Sequence, residues 1–231
     1  MGSRVTLNLD GDCMFNFKLE NPFDSFRRVL ERVPVSGVVR RELQARYTQL
    51  NRPYHGLYHL ATMWDLHQYF TPPFDHIGPF MRWESTQQTI ASAIVFHDAV
   101  YDTERNDNEE QSALLWMSAG HDQTIVDPRW VHDTIIATKH PLADRPIHDE
   151  LREYFVGLDL AWLAAPYELF QLMARLIRLE YPHYSDAEWK SHGVFVTTLL
   201  DAPVIFKDTR LRAEFEDAVK ANLRRHLSEL A

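Results

Sequence analysis

The sequence predicts an all-α protein folded as one compact helical domain. Glycine is scarce, with 8 residues in 231, and proline is moderate, with 12. Few glycines together with long stretches of helical periodicity favour helices over a turn-rich β fold. The length is sufficient for a buried core. The chain has no internal repeat, no low-complexity segment and no clear linker, which favours a single domain.

Residues 1–20 are the exception to the helical pattern. Apolar and polar residues alternate on both sides of Asp10-Gly11-Asp12, as they would in a β-hairpin. A loosely packed extension explains the same residues equally well. We therefore assign residues 1–20 to an N-terminal extension whose structure stays open, and residues 21–231 to the helical domain.

Capping residues and prolines set the predicted helix boundaries in the first half of the chain. Asp24 and Ser36 each stand where a helix is expected to start, and Pro72-Pro73 ends a helix. The last helix of this half is the best buried candidate, because its apolar residues recur at helical spacing on one face. The predicted helices are 24–33, 36–50, 54–70 and 83–100.

The second half of the chain contains further helix-start signals. Asp107–Glu110 and Ser185–Glu188 have the spacing of capping boxes, in which an N-cap side chain and a later Glu satisfy each other's backbone N–H groups. Asp127-Pro128 places an N-cap before a proline at the first helical position. One predicted helix starts at 107, and the others span 127–139, 148–156, 166–181, 186–201 and 209–229.

Charge and cysteine content limit the compartment and the partners. The net charge is −9, and no basic stripe suits duplex nucleic acid or an anionic membrane. Cys13 is the only cysteine, so no intrachain disulfide can form, as is typical of a reducing compartment. No signal peptide and no run of about 18 apolar residues is present. We expect a cytoplasmic protein.

His97 and Asp98 are adjacent near the end of the most apolar predicted helix. A buried carboxylate is costly unless it is paired or binds a cation. An aspartate at a helix C-terminus also opposes the helix dipole. A metal ion would remove both costs. The alternative is a core histidine beside an aspartate that caps the helix end.

Two other places in the chain carry side chains that bind metals. His55 and His59 are four residues apart, so both face one side of a helix, although such a pair alone is a weak metal signal. Asp159 lies among apolar residues, and taken alone an arginine partner explains it better. Together two imidazoles and two carboxylates suit Mn, Fe, Co, Zn or Ni, with Mg at a second position. We call His59, His97, Asp98 and Asp159 the ligand cluster.

Six strings occur in order over roughly residues 44–225: RPYHGLYHLATM, FHDAVYD, DNEEQSA, ATKH, LDLAWLA and IRLEY. They resemble the bacterial predicted metal-dependent phosphohydrolases of the HD superfamily, and FHDAVYD followed by DNEEQSA is the most specific part. The resemblance implies an all-α HD-domain fold and a metal-dependent phosphoesterase activity. YHGLYH also resembles the YHNxxH motif of the cyclic-nucleotide phosphodiesterases, a distant branch of the superfamily.

The resemblance also implies roles for single residues. His55 becomes the candidate general acid, and the ligand cluster becomes the metal site, with Asp98 as the bridge if two metals bind. Gly56 stands where the phosphodiesterase branch has Asn, so a contact to the site is expected to be missing. SHGVF, at 191–195, replaces an expected Gly-Arg pair, which puts in doubt a substrate role for that segment.

Asp102 and Glu109 are further catalytic candidates, each with a structural alternative. Asp102 lies one helical turn after Asp98 and could hold a water near the metal, or it could cap a loop at the helix end. Glu109 falls within the DNEEQSA string. A carboxylate in the first turn of a helix is favourable in any case, so a purely local role competes with catalysis.

Four basic residues are candidates for binding the phosphate of a substrate. Lys139 and His140 lie at a helix end, where cations are common without any functional reason. The two arginines could instead pair with Glu180 or with another surface acid. The candidates are Arg52, Lys139, His140 and Arg178.

The expected reaction is hydrolysis of a phosphate ester, monoester or diester, of a nucleotide or a similar small molecule. A metal would activate a water for in-line attack on phosphorus, and His55 would protonate the leaving oxygen. A diiron oxygenase of the HD type is one alternative, with His132 or His140 as extra ligands. A helical module that senses nucleotide or metal without catalysis is another. The oligomeric state stays open, a homodimer included.

Overall fold

The computed structural model describes residues 21–70, 83–122, 126–139, 142, 149–191 and 194–230. All regular structure in these residues is helical, which confirms the predicted all-α fold. The hairpin or extension predicted for 1–20 lies outside the described residues. The α-helices are α1 (Pro22–Arg32), α2 (Gly37–Tyr47), α3 (Leu57–Tyr69), α4 (Trp83–Phe96), α5 (Asn108–Ser118), α6 (Pro128–Thr138), α7 (Glu150–Leu160), α8 (Tyr167–Glu180), α9 (Asp186–Ser191), α10 (Val194–Asp201) and α11 (Thr209–Leu230).

A short 3-10 helix, Ala161–Ala164, follows α7. The predicted helix 186–201 corresponds to α9 and α10, and residues 192–193 between them lie outside the described residues. Within the described ranges, no helix has both the length and the apolar character that crossing a membrane requires.

Three of the predicted N-caps are confirmed. The Ser36 hydroxyl accepts a hydrogen bond from the backbone N–H of Val39 at the start of α2 (3.3 Å). Asp127 precedes Pro128 and accepts from two backbone N–H groups of α6. Ser185 and Glu188 form the expected reciprocal box before α9, with the Ser185 N–H donating to the Glu188 carboxylate (2.7 Å).

Two predicted helix starts shift. Asn21 rather than Asp24 caps α1, and its side chain accepts from the Asp24 N–H (3.3 Å). The helix predicted from Tyr54 begins instead at Leu57, and the backbone N–H of Tyr54 donates to a tertiary partner, the Glu180 carboxylate (2.7 Å). Local sequence could not indicate that partner, which is 126 positions away.

The capping box predicted at Asp107 and Glu110 is wrong in its contacts, although Asp107 is the N-cap residue of α5. The Asp107 carboxylate accepts two hydrogen bonds from the Arg105 guanidinium (2.7 and 2.6 Å). Glu110 accepts from the Lys139 ammonium (2.7 Å). Charge-assisted hydrogen bonds are stronger than a bond to a neutral N–H, so both carboxylates turn away from the helix end.

Helix α4 is the central element of the core and packs against α1, α3, α5 and α6. It ends at Phe96, four residues before the predicted end, so that its carbonyl end lies inside the protein. Carbonyl oxygens left without a helical partner need donors from elsewhere. The segment 46–52 supplies them: Tyr47 Oη donates to Val95 O (2.8 Å), Arg46 Nη1 to Ala99 O (3.4 Å) and Arg52 Nη2 to Asp98 O.

Gly56 immediately precedes α3 and packs against backbone. A β-carbon at this position would lie 2.7 Å from the Arg52 carbonyl oxygen and 3.1 Å from the Tyr47 carbonyl oxygen. Such separations are too short for carbon and oxygen, so the close approach of two segments requires glycine here. From the sequence we expected Gly56 to remove a side-chain contact to the site. The structure shows instead that a larger side chain has no room at position 56.

We therefore expect Gly56→Ala to lower the free energy of unfolding by about 1–3 kcal/mol, because the neighbouring atoms are backbone and cannot move aside. Urea denaturation measures this change. Gly37→Ala is the matched control, since its β-carbon would meet only the Arg41 guanidinium at an ordinary 3.6 Å. Equal stability of the two variants would contradict the packing argument.

Candidate metal centre

The side chains of the ligand cluster meet at one point, although they come from distant parts of the chain. His59 lies in α3, His97 and Asp98 follow α4, and Asp159 lies near the end of α7. The two histidines face each other, with 3.2 Å between their Nε2 atoms. His59 Nε2 is 3.1 Å from Asp159 Oδ1, and His97 Nε2 is 3.1 Å from Asp98 Oδ2.

The spacing of these atoms suits a divalent cation. A tetrahedral metal with ligands at about 2.0–2.1 Å places the ligand atoms about 3.3–3.4 Å apart. Two further pairs, His97 with Asp159 and His59 with Asp98, are separated by 3.6 and 3.8 Å. His59, His97 and Asp98 form a group that could hold a metal ion. Asp159 lies outside that group, but its Oδ1 contacts both imidazoles, so it would add a fourth donor, the second oxygen of the set.

Hydrogen bonding also prepares His97 to bind a metal. Its Nδ1 lies 2.9 Å from the Ile94 carbonyl oxygen. A carbonyl can only accept, so a proton is on Nδ1, and Nε2 is the nitrogen that faces the cluster and that a metal would bind. A backbone carbonyl behind the imidazole is the usual arrangement for a metal-binding histidine.

Burial and charge act against each other within the cluster. Burial lowers the pKa of His59. Burial also opposes charging of His97, but the Asp98 and Asp159 carboxylates outweigh it and raise the pKa of His97 well above its ordinary value. Burial alone would raise the pKa of both carboxyl groups, yet the imidazoles hold the pKa of each below its ordinary range. The two carboxylates therefore stay ionised and attract a cation.

The cluster keeps an opening to solvent. The imidazole side chains are 4% and 1% exposed, whereas the carboxylates of Asp98 and Asp159 are 18% and 21% exposed. A site that binds a metal for catalysis needs such an open side. The arginine considered as a partner of Asp159 is not present: in the described part of the chain its ion-pair partners are His59 and His97.

Glu180 is a site residue that the sequence analysis missed. It is buried at the end of α8, and its Oε2 lies 2.5 Å from His55 Nδ1. Its Oε1 accepts from the backbone N–H groups of Tyr54 and His55 (2.7 and 2.8 Å). Tyr101 donates to the same carboxylate (3.1 Å) and stacks on the His55 ring. An acid at a helix C-terminus opposes the dipole, which is the signal that could have found it.

His55 lies beside the ligand cluster and outside α3. Its ring centroid is 5.8 Å from that of His59, and its side chain is 20% exposed. Glu180 occupies Nδ1, so Nε2 is the nitrogen left for a ligand. The structure thus places the candidate general acid next to the candidate metal ligands, with its ring held by a carboxylate.

Arg52 is part of the fold and not an open phosphate clamp. Its side chain is buried and donates to the Asp98 carbonyl oxygen. Its guanidinium lies over the rings of Tyr47 (4.8 Å) and Tyr101 (5.2 Å). Arg52 therefore fixes the backbone of Asp98, and its substrate role stays a prediction.

Arg178 is also used by the fold. Its guanidinium donates to the carbonyl oxygens of Tyr181 and Tyr184 (2.8 Å each) and to the Asp186 carboxylate (2.9 Å). These bonds hold the turn that follows Glu180. Of the two alternatives considered for this arginine, pairing with another surface acid is the one observed.

Asp102 and Glu109, the two further catalytic candidates, have different surroundings in the structure. Asp102 is exposed, and its carboxylate accepts from the backbone N–H of Glu104 (3.0 Å), which matches the loop-capping alternative. Glu109 is partly buried, and its Oε2 is 3.9 Å from Lys139 Nζ. Burial raises the pKa of Glu109, and Asp98 acts in the same direction against the opposing effect of Lys139.

Lys139 is engaged as well. Its ammonium donates to both oxygens of Glu110 (2.7 and 2.9 Å). This ion pair joins α5 to the end of α6, so Lys139 has a structural role that needs no substrate. His140, the remaining phosphate candidate, lies outside the described residues.

Comparisons with known proteins give no match: no protein-family model, no curated protein and no solved structure corresponds to this chain. The resemblance to HD-superfamily phosphohydrolases stays a prediction from the sequence. The structure establishes an all-helical fold with a buried group of His59, His97 and Asp98 that could hold a metal ion.

We expect a divalent metal to stabilise the protein, because the folded state alone assembles the donor atoms. At a metal concentration about 100 times Kd, Tm should rise by about 5–10 °C, and a chelator should reverse the rise. Differential scanning calorimetry with Mn, Zn or Co measures it. Asp98→Asn and Asp159→Asn should abolish most of the shift, whereas Asp201→Asn, on the exposed end of α10, should retain it.

We expect Glu180→Ala to lower the free energy of unfolding by about 2–4 kcal/mol, because it leaves two backbone N–H groups without their acceptor. Urea denaturation measures the loss. Glu168→Ala removes an exposed glutamate from the first turn of the same helix and should change stability by about 0.5 kcal/mol or less. A Glu180 variant as stable as the Glu168 variant would refute the anchoring role.

Proposed function

We propose that this chain is a metal-dependent phosphohydrolase that cleaves a phosphate ester of a nucleotide or a similar small molecule. The observation that supports this most is the convergence of the ligand cluster beside His55. Two imidazoles and two carboxylates leave room for further ligands on a divalent ion. The sequence resemblance supports the same reaction independently of the geometry.

A divalent metal bound by the ligand cluster would activate a water and screen the charge of the phosphoryl oxygens. The residues of the chain hold that metal with both charge and orientation. The Asp98 and Asp159 carboxylates supply the charge. The Ile94 carbonyl behind His97 orients one imidazole, and the Nε2 atom of His59 lies 3.2 Å from that of His97.

His55 would protonate the leaving oxygen. The Glu180 carboxylate bonds Nδ1 at 2.5 Å, which leaves Nε2 as the ring nitrogen for proton transfer. Tyr101 stacks on the ring at 4.3 Å and limits its rotation. The backbone bond from His55 to Glu180 fixes the main chain on which the ring turns. His55 is therefore set up to deliver a proton from one direction.

The cationic side chains that the sequence suggested for phosphate binding support the need for a metal. Arg52, Arg178 and Lys139 each have partners within the fold. The carboxylates near the site would repel a phosphate ester. An anionic substrate therefore needs positive charge from a bound cation.

The diiron alternative has less support. It needs more imidazole ligands. In the described part of the chain, the group that could hold a metal contains two histidines, His59 and His97. His132 bonds the neighbouring Asp133 carboxylate (2.9 Å). No contact in the described residues favours a sensor over an enzyme, and turnover distinguishes the two.

We expect His55→Ala to lower kcat by about 10²–10⁴-fold while bound metal is retained, because general acid catalysis contributes about that factor. Asp98→Ala should lose both metal and turnover. Elemental analysis of the purified proteins, followed by phosphate-ester and phosphodiester assays with the metal found, measures both properties. His132→Ala is the histidine control and should retain both.

Two results would contradict the proposal. An Asp98 variant with full metal content and full activity would remove the cluster from the reaction. A wild-type protein that binds nucleotide with metal but releases no product would favour the sensor.

A further inference from the structure

Tyr54 carries a buried hydroxyl group without a hydrogen-bond partner in the described part of the chain. The residue is 3% exposed, and its oxygen is among the buried side-chain atoms that lack a partner. Buried polar groups are paired in nearly all native structures, and an exception needs a reason. A ligand that supplies the missing acceptor is such a reason.

The ring of Tyr54 contacts both the candidate general acid, His55, and a candidate metal ligand, His59. Its centroid is 4.7 Å from that of His55, 5.1 Å from that of His59 and 5.2 Å from that of Trp162. Its backbone N–H is fixed by the Glu180 carboxylate. The Glu180 carboxylate thus fixes the backbone of Tyr54 as well as that of His55.

The hydroxyl of Tyr54 is a donor at neutral pH. Burial raises its pKa well above the ordinary value, and the Asp159, Asp98 and Glu180 carboxylates add to the rise. A neutral phenol beside several carboxylates offers a proton and adds no negative charge of its own. It suits an anionic oxygen that reaches the site together with a cation.

We infer that Tyr54 donates a hydrogen bond to a phosphoryl oxygen of the bound substrate. This inference rests on the proposed function and adds a contact that neither the charge pattern nor the arginines provide. Since Arg52 and Arg178 are engaged elsewhere, an uncharged donor next to the ligand cluster takes over part of phosphate recognition.

The test uses Tyr54→Phe in the full chain, with Mn and inorganic phosphate as probes. Without either probe, the variant should unfold at the wild-type temperature or above it, because no native hydrogen bond is lost. In isothermal titration of the Mn-loaded protein, its phosphate Kd should rise about tenfold to a hundredfold, as for loss of a bond to a charged acceptor. Its affinity for Mn alone should not change.

Tyr154→Phe is the matched control. Tyr154 is fully buried in α7, and its hydroxyl lies 3.1 Å from His67 Nδ1. Removal of that paired hydroxyl should lower Tm and leave the phosphate Kd unchanged. Tyr54→Leu, which also lacks the hydroxyl, should show the same loss of phosphate binding as Tyr54→Phe.

An unchanged phosphate Kd in Tyr54→Phe would overturn the inference, and so would a loss of Mn affinity with phosphate binding intact. A wild-type protein that binds no phosphate in the presence of Mn would overturn it as well. The proposed function fails separately: if Mn-loaded wild type binds phosphate but hydrolyses no ester, the Tyr54 titration still decides the contact.

Discussion

Two carboxylates held against two buried imidazoles are the constraint on which the rest of this structure depends. Asp98 and Asp159 come from opposite halves of the chain, yet both lie within 3.1 Å of a histidine nitrogen. To bring them together, α4 must end inside the protein, and its carbonyl oxygens must find donors there. Helix α3 packs beside α4, and α7 packs beside α3, so that His59 and Asp159 reach the same point.

The charged residues around the site mostly hold loops in place. Arg52 ties the segment before α3 to the carbonyl of Asp98, and Glu180 ties that same segment to the end of α8. Thr103 extends the connection, because its hydroxyl donates to the Glu180 carbonyl oxygen (3.1 Å). Groups that resemble substrate-binding residues in the sequence thus position the candidate metal ligands and the candidate general acid.

The sequence predicted those features that depend on local chemistry or on the cost of burial. Ser36 was predictable because its cap involves neighbouring residues, and Asp98 because an acid in an apolar segment needs a cation. Asp107 was misassigned because Arg105 competes for its carboxylate. Glu180 was missed because its partners are more than 70 positions away in the chain. The same burial argument that found Asp98 would have found it, had it been applied at the end of α8.

The carboxylates around position 54 explain why an uncharged donor, tyrosine, suits this position better than a cationic side chain. An arginine at position 54 would lie beside several carboxylates and would pair with them, so it would compete with the metal for the same ligands. A lysine would compete in the same way. The tyrosine hydroxyl carries no charge at neutral pH, so it leaves Asp98 and Asp159 available to a cation. It would then act on an anion that only a bound cation attracts, which would make phosphate recognition conditional on metal.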